Sequence, residues 1–192
     1  VLEIKPHKNM LFLKLENTFD GNFKVNKLGA FISTKKEFDH GIGLKRVEDI
    51  VKKYKLKNVT AVVPGGKERY HSVFEGLKAV GEADYVFIHD GARPMLTQDI
   101  IARLKDAVIK EEAAVAGMPV KDTIKLVDDT QFVTATPDRR TVWLVQTPQV
   151  FDYKLVYEAY KKIMEGDQTG ITDDAMVVEL LGDCPVKLVE GS

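Results

Sequence analysis

Short apolar, β-rich runs alternate with amphipathic helical patterns along this chain, and that alternation restricts its fold more than any other feature. The runs are 28–33 (LGAFIS), 59–63 (VTAVV), 85–89 (YVFIH), 113–118 (AAVAGM) and 186–189 (VKLV). Nearly continuous apolar runs of this length suit strands covered on both faces, as in parallel sheets. Between them, 44–54, 72–80 and 98–109 carry apolar stripes at helical spacing: Val47, Ile50 and Val51; Val73, Leu77 and Val80; Ile101, Leu104 and Val108. Strand–helix repetition predicts an α/β fold, a doubly wound, mostly parallel sheet with helices on both faces and a projecting β-arm. Ligands of such sheets bind at the carboxyl ends of the strands, so chemistry is expected in the loops that follow them.

The arm is expected where the rhythm breaks, between Pro119 and Pro148. Residues 123–127 and 131–135 are β-prone and flank the turn sequence Asp128-Asp129-Thr130, which predicts a hairpin; 142–145 could add a third strand. The alternative is an antiparallel extension of the main sheet. Two helices, 153–164 and 172–181, should follow. A length of 192 residues fits one domain, 1–192, with 121–148 as an arm subregion.

Composition narrows the class. The chain is 44% hydrophobic and 30% charged with a net charge of −1, and its Lys and Arg are spread out. A nucleic acid polymer would favour a concentrated basic face, so the basic residues are expected to hold small phosphates. The single cysteine, Cys184, allows no internal disulfide and reads as a buried apolar filler. No apolar stretch approaches the roughly 20 residues that span a bilayer, and the N-terminus does not read as a signal peptide. A reducing cytoplasm is the expected location.

Two loops follow predicted strands with chemistry-bearing residues. In 62–73 (VVPGGKERYHSV) a strand runs into two glycines and then a helix, with Ser72 placed as an N-cap. This is no P-loop, because the first glycine of GxxxxGK[ST] is absent and Glu68 follows the lysine. The second loop is sharper. His89-Asp90-Gly91-Ala92-Arg93-Pro94 leaves a buried strand, and an aspartate there suits Mg²⁺, which prefers carboxylate plus phosphate oxygens. Arg93 could pair with phosphate, whereas His89 reads as structural. A third set lies in the arm: Asp122, Thr123 and Lys125, then Asp138, Arg139 and Arg140, with Thr147 beyond. Adjacent arginines beside threonines suit a phosphomonoester; a solvated charged edge is the other reading. The four histidines show no zinc-ligand spacing. Thr172, ahead of Asp173-Asp174, is expected to cap the last helix, and Trp143 to pack in the arm or an interface.

In order, these segments resemble the methylerythritol phosphate cytidylyltransferases, nucleotidyltransferases of GT-A-like fold. The match is carried by GGxxRxxSVxxGL at 65–77, HDGARP at 89–94, PVKDTIK at 119–125, TPQVF at 147–151, ITDDA at 171–175 and LVEG at 188–191. The resemblance implies CMP transfer from Mg·CTP to 2-C-methyl-D-erythritol 4-phosphate with release of pyrophosphate, in non-mevalonate isoprenoid biosynthesis. It implies a homodimer clasped through the arm. Matching positions imply that Gly66 and Ser72 contact the cytosine end, with Asp90 by the metal and ribose and Ala92 and Arg93 beside it. Thr123 and Arg139, from the neighbouring arm, would hold the acceptor phosphate, and Thr147 would stand close by.

Two departures stand out. The family's glycine-rich basic loop near the N-terminus has no counterpart in 1–10, which holds no glycine and no arginine. The family also continues past Gly191 into a segment carrying a lysine and acids. The expectation is a chain shorter than the protein it comes from, rather than a true loss. Ribitol 5-phosphate cytidylyltransferase is the nearest alternative, and 122–125 with 171–174 favour methylerythritol phosphate over it. A non-catalytic nucleotide-binding relative lacking the glycine-rich loop is the other.

Overall fold

The computed structural model describes residues 10–15, 24–25, 31–32, 49, 51–55, 59–93, 95–182 and 184–192. Its centre is a five-stranded sheet of β1 (Met10–Leu15), β4 (Tyr85–Asp90), β8 (Trp143–Asp152), β5 (Ala113–Pro119) and β9 (Lys187–Glu190), in that spatial order. β1 runs parallel to β4 and β9 parallel to β5, while β8 lies antiparallel between β4 and β5. Four strands therefore share one direction, and the mostly parallel α/β expectation holds. β2 (Lys24–Val25) and β3 (Phe31–Ile32) form a separate antiparallel pair, as do β6 (Leu126–Val127) and β7 (Val133–Ala135).

Helices cover both faces because the strands present apolar residues to both. Val86 and Ile88 of β4 pack with α1 (Arg69–Val80), α3 (Tyr153–Glu165) and α4 (Asp174–Glu179). Phe87, between them in sequence, turns to the opposite face with Ile100, Leu104 and Val108 of α2 (Gln98–Glu111), as a period of two requires. An aromatic layer seats α1 on α3: Phe74 stacks on Tyr160 at 6.2 Å, and the Tyr153 hydroxyl donates to the Leu77 carbonyl at 3.1 Å.

Several expectations need correction. Residues 59–63 form no strand: β propensity is a weak determinant that the surrounding structure overrides. Residues 142–145 do not extend the hairpin, because Trp143 begins β8 and pairs with Pro119 in the main sheet. Trp143 therefore sits half-buried at the root of the arm. The hairpin itself is present but short, its turn tied by the Asp128 carboxylate, which accepts from the Thr130 and Phe132 amides at 2.9 and 3.0 Å. Ser72 is not a cap: α1 begins three residues earlier, capped at Glu68, whose N–H donates to His71 Nδ1 at 3.2 Å. Asp173 rather than Thr172 caps α4, accepting from the Met176 amide at 3.0 Å, since its carboxylate is the better acceptor. Helical backbone is present at 49 and 51–54 within the expected 44–54 helix; the rest of that helix, and most of the 28–33 run, lie outside the described residues. Cys184 is free and buried as expected, and burial, helped by Glu112 and Asp152, pushes its thiol up. Among the described residues no helix is long and apolar enough to cross a membrane.

Candidate active site

The carboxyl end of β4 and the start of α1 meet around two aspartates. Asp90 ends β4 with its side chain 34% exposed, whereas Asp174, at the start of α4, is fully buried. Arg69 spans them. Its Nη1 and Nη2 donate to the two Asp174 carboxylate oxygens at 2.8 and 2.7 Å, and its Nε and Nη2 reach Asp90 Oδ1 at 3.4 Å. The buried Tyr160 hydroxyl also donates to Asp174 Oδ1. Burial alone would lower the Arg69 guanidinium, but Asp174, with Asp90 adding, outweighs it and raises it further. Burial, with the Asp174 charge beside it, pushes the Tyr160 phenol well up, so it stays a donor.

A break in sheet register places the next group. The β5–β8 ladder shifts between Val115 and Gly117, opposite 146–148, and such irregularities re-aim side chains next to active sites. Thr147 is thereby free to turn to β4, where its Oγ1 accepts the Asp90 N–H at 3.1 Å and lies 3.1 Å from His89 Nδ1. His89 Nε2 lies 2.8 Å from the Arg93 carbonyl. Since a carbonyl only accepts, Nε2 carries the proton and Nδ1 accepts from Thr147. Burial lowers the His89 pKa and so favours this neutral form, against the pull of the Arg93 carbonyl and Asp90. His89 is structural here: it joins Thr147 to the Arg93 loop.

Arg93, 50% exposed, folds back over Asp90, with its N–H on the Asp90 carbonyl at 3.1 Å and Nε 3.8 Å from Oδ2. Ala92 beside it is exposed. The glycine loop is fastened from the other side: the Gly66 N–H donates to Ser72 Oγ at 2.9 Å, and Ser72 Oγ donates to the Glu68 carbonyl at 3.3 Å. A Cβ on Gly66 would overlap the His71 side chain, so only glycine fits this close approach. Gly66, Ser72, Asp90, Ala92, Arg93 and Thr147 thus belong to one region. The arm residues form a second group: Thr123 is exposed, and Arg139, in the 3-10 turn Arg139–Thr141, donates to the Lys121 carbonyl at 2.9 Å. Arg140 is paired with Asp138 at 2.5 Å, whereas no ion pair engages Arg139 among the described residues.

In the sequence Asp174 reads only as an acid at a helix start, Arg69 and Gln149 only as members of the motifs at 65–77 and 147–151, and Tyr160 has no role. Gln149 is 1% exposed; its Nε2 donates to Asp173 Oδ2 at 2.9 Å and its Oε1 accepts the Ala175 N–H at 2.8 Å. One signal was available: Asp174 precedes the apolar run Ala-Met-Val-Val, and an acid on a core-facing stripe requires a buried partner.

No cluster of three metal-ligating side chains occurs among the described residues. A cation at this site would therefore rest on Asp90 and on phosphate oxygens. The one-third-exposed Asp90 carboxylate, held only at 3.4 and 3.8 Å, fits that donor set; Asp174, saturated with donors, does not.

Comparison with known proteins points one way. The family model "IspD: 2-C-methyl-D-erythritol 4-phosphate cytidylyltransferase" matches residues 22–192. A protein of that name from Lachnospira eligens is 48% identical over 132 residues, covering 68% of this chain and 58% of the relative. One from Alkaliphilus metalliredigens is 38% identical over 194 residues, covering 95% and 77%. The crystal structure of 4-diphosphocytidyl-2C-methyl-D-erythritol synthase from Anaerococcus prevotii is similar with a TM-score of 0.70 and 37% identity, over 77% of this chain and 69% of that one. That of the cytidylyltransferase from Thermus thermophilus has a TM-score of 0.60 and 35% identity, over 68% and 62%. The chain spans less than two thirds of the length of several such relatives, for example 58% and 62%.

Proposed function

The chain belongs to the 2-C-methyl-D-erythritol 4-phosphate cytidylyltransferase family, and from that premise we propose that it transfers CMP from CTP to 2-C-methyl-D-erythritol 4-phosphate, an isoprenoid-pathway step. The observation that carries this reading is the one-third-exposed Asp90 at the carboxyl end of β4, flanked by Arg93, with its N–H held by Thr147 and its carboxylate reached by Arg69, the first residue of α1 after the glycine loop. An acceptor phosphate oxygen attacks the α-phosphorus of CTP, the bond to the β-phosphate oxygen breaks, and pyrophosphate leaves. No covalent enzyme intermediate is needed, so the protein's task is positioning and charge neutralisation.

Gly66 and Ser72 take the cytosine end, where the loop's close backbone approach suits a flat base. Ala92 leaves room for the ribose, and Arg93 neutralises phosphate charge. Asp90 would hold Mg²⁺ together with the triphosphate oxygens; when bound, the ion offsets charge developing on the leaving pyrophosphate. Thr147 orients the Asp90 backbone and stands beside the acceptor. Arg139 and Thr123 grip the acceptor's phosphate, a role favoured by an Arg139 side chain that no carboxylate engages among the described residues.

Within a single nucleotidyltransferase domain, residues 121–148 act as the arm. The exposed Leu126, Val127, Phe132 and Val133 on it favour a homodimer in which the arm packs on a second copy and brings Arg139 and Thr123 to the partner's site. One free buried cysteine fits a cytoplasmic enzyme. Acceptor identity is tested by ³¹P NMR with CTP and either 2-C-methyl-D-erythritol 4-phosphate or ribitol 5-phosphate. A new diphosphate diester with the first acceptor supports the reading; product with ribitol 5-phosphate alone would transfer the chain to the other chemistry.

A further inference from the structure

We propose that Arg69 is the positioning residue of the Asp90 carboxylate, and that the buried Asp174 and Tyr160 exist at this place to aim it. The inference deepens the functional reading and rests on Asp90 being the carboxylate at the reacting centre. The guanidinium is planar and rigid, so fixing two of its nitrogens fixes the third. Asp174 fixes two: Nη1 and Nη2 sit on its two oxygens at 2.8 and 2.7 Å. Nε is then directed at Asp90 Oδ1, 3.4 Å away, with Nη2 at the same distance.

Asp174 is itself held from two further elements. The Tyr160 hydroxyl donates to it from α3. Its neighbours in sequence, Asp173 and Ala175, are both bonded to Gln149, whose amide bridges them from β8. Gln149 lies on the same strand as Thr147, which holds the Asp90 backbone. The Asp90 main chain and side chain are therefore located by two arms of one network, through Thr147 and through Arg69.

Packing alone does not call for these charges. A buried ion pair is often no more stable than well-packed apolar residues of similar volume, and the surroundings of Asp174 are the apolar layer of α1, α3 and α4. What an apolar replacement cannot do is hold a neighbouring carboxylate in one rotamer. The outward contact of the pair is Asp90.

The test removes the charges without leaving one stranded. In Arg69→Met/Asp174→Leu/Tyr160→Phe no buried polar group loses its partner within the network, so the melting temperature should stay near that of the wild type. With CTP and 2-C-methyl-D-erythritol 4-phosphate, kcat should fall about 10- to 100-fold, the loss expected from a misplaced reacting group. KM for CTP should change less than about threefold, because ground-state binding is left largely intact. A crystal structure of the variant reads the same claim without turnover, with Asp90 leaving its wild-type rotamer. Wild-type kcat in a stable variant, or an unmoved Asp90, overturns the proposal. Should the triple variant not fold, Arg69→Lys decides: it keeps the charge but cannot fork between two carboxylates, so the same kcat loss is expected, and full activity overturns the proposal. If the wild-type protein turns over neither substrate pair, the functional reading fails, and the position of Asp90 in the crystal still judges the network.

Discussion

Replacing Asp174 by alanine should destabilise the protein far more than its removal from a solvated helix start would. The carboxylate has no exposed surface and accepts from Arg69 twice and from Tyr160 once. Its loss leaves the Tyr160 hydroxyl, on a side chain with no exposed surface, without an acceptor, which costs about 1–3 kcal/mol. It also strands the Arg69 guanidinium. Breaking a fully buried pair from one side costs about 3–5 kcal/mol, but Arg69 is 31% exposed and retains Asp90 at 3.4 Å, so the lower part of that range applies. Together the two effects come to roughly 5 kcal/mol, or a melting temperature lowered by roughly 10–20 °C at about 2–4 °C per kcal/mol for a chain of this size. Urea unfolding followed by far-UV circular dichroism measures this directly. Tyr160→Phe in the Asp174→Ala background should then cost much less than in the wild type, because the hydroxyl it removes no longer has a charged partner. A single-variant loss under about 1 kcal/mol, or strict additivity of the two substitutions, would refute the network as described.

Asp90→Ala should abolish CMP transfer while leaving the urea midpoint within error of wild type, since the side chain is one third exposed and its contacts are long; retained turnover would remove Asp90 from the metal site. Arg139→Ala should raise KM for the acceptor about tenfold or more and KM for CTP much less, consistent with the loss of one charge-assisted phosphate contact; equal effects would place Arg139 elsewhere. Cys184 is 8% exposed with its thiol pushed up by burial. A raised pKa means less thiolate at any pH below it, so 5,5′-dithiobis(2-nitrobenzoate) at pH 8 should label native protein slowly and unfolded protein at once. Fast labelling of the native state would contradict the packing around 184.

The parallel core was legible because burial on both faces leaves a continuous apolar signature, seen in 85–89 and 113–118, and the helices between carry their stripe in the sequence. Strand 143–152 was harder. Its apolar residues are interrupted by Gln146, Thr147, Pro148 and Gln149, and those interruptions mark where the ladder shifts and the site is built. Residues 59–63 show the opposite case: five β-prone residues announce a propensity, and propensity alone does not make a strand. At the site, Asp90 and Arg93 could be read from their place after a strand, since loops at strand ends are where ligands sit. Arg69, Asp174, Tyr160 and Gln149 act through pairing across 105, 14 and 26 positions, and one sequence does not record which distant residues meet. Cap positions failed more locally: Glu68 and Asp173 were passed over for the hydroxyls of Ser72 and Thr172, because the helix starts were misplaced by a few residues.

The most direct test of the central claim is pyrophosphate release from CTP and Mg²⁺, with and without 2-C-methyl-D-erythritol 4-phosphate. The full-length protein and its Asp90→Ala variant should be measured side by side. Release should require the acceptor and disappear in the variant. Release without the acceptor, or equal release from the variant, would contradict that claim.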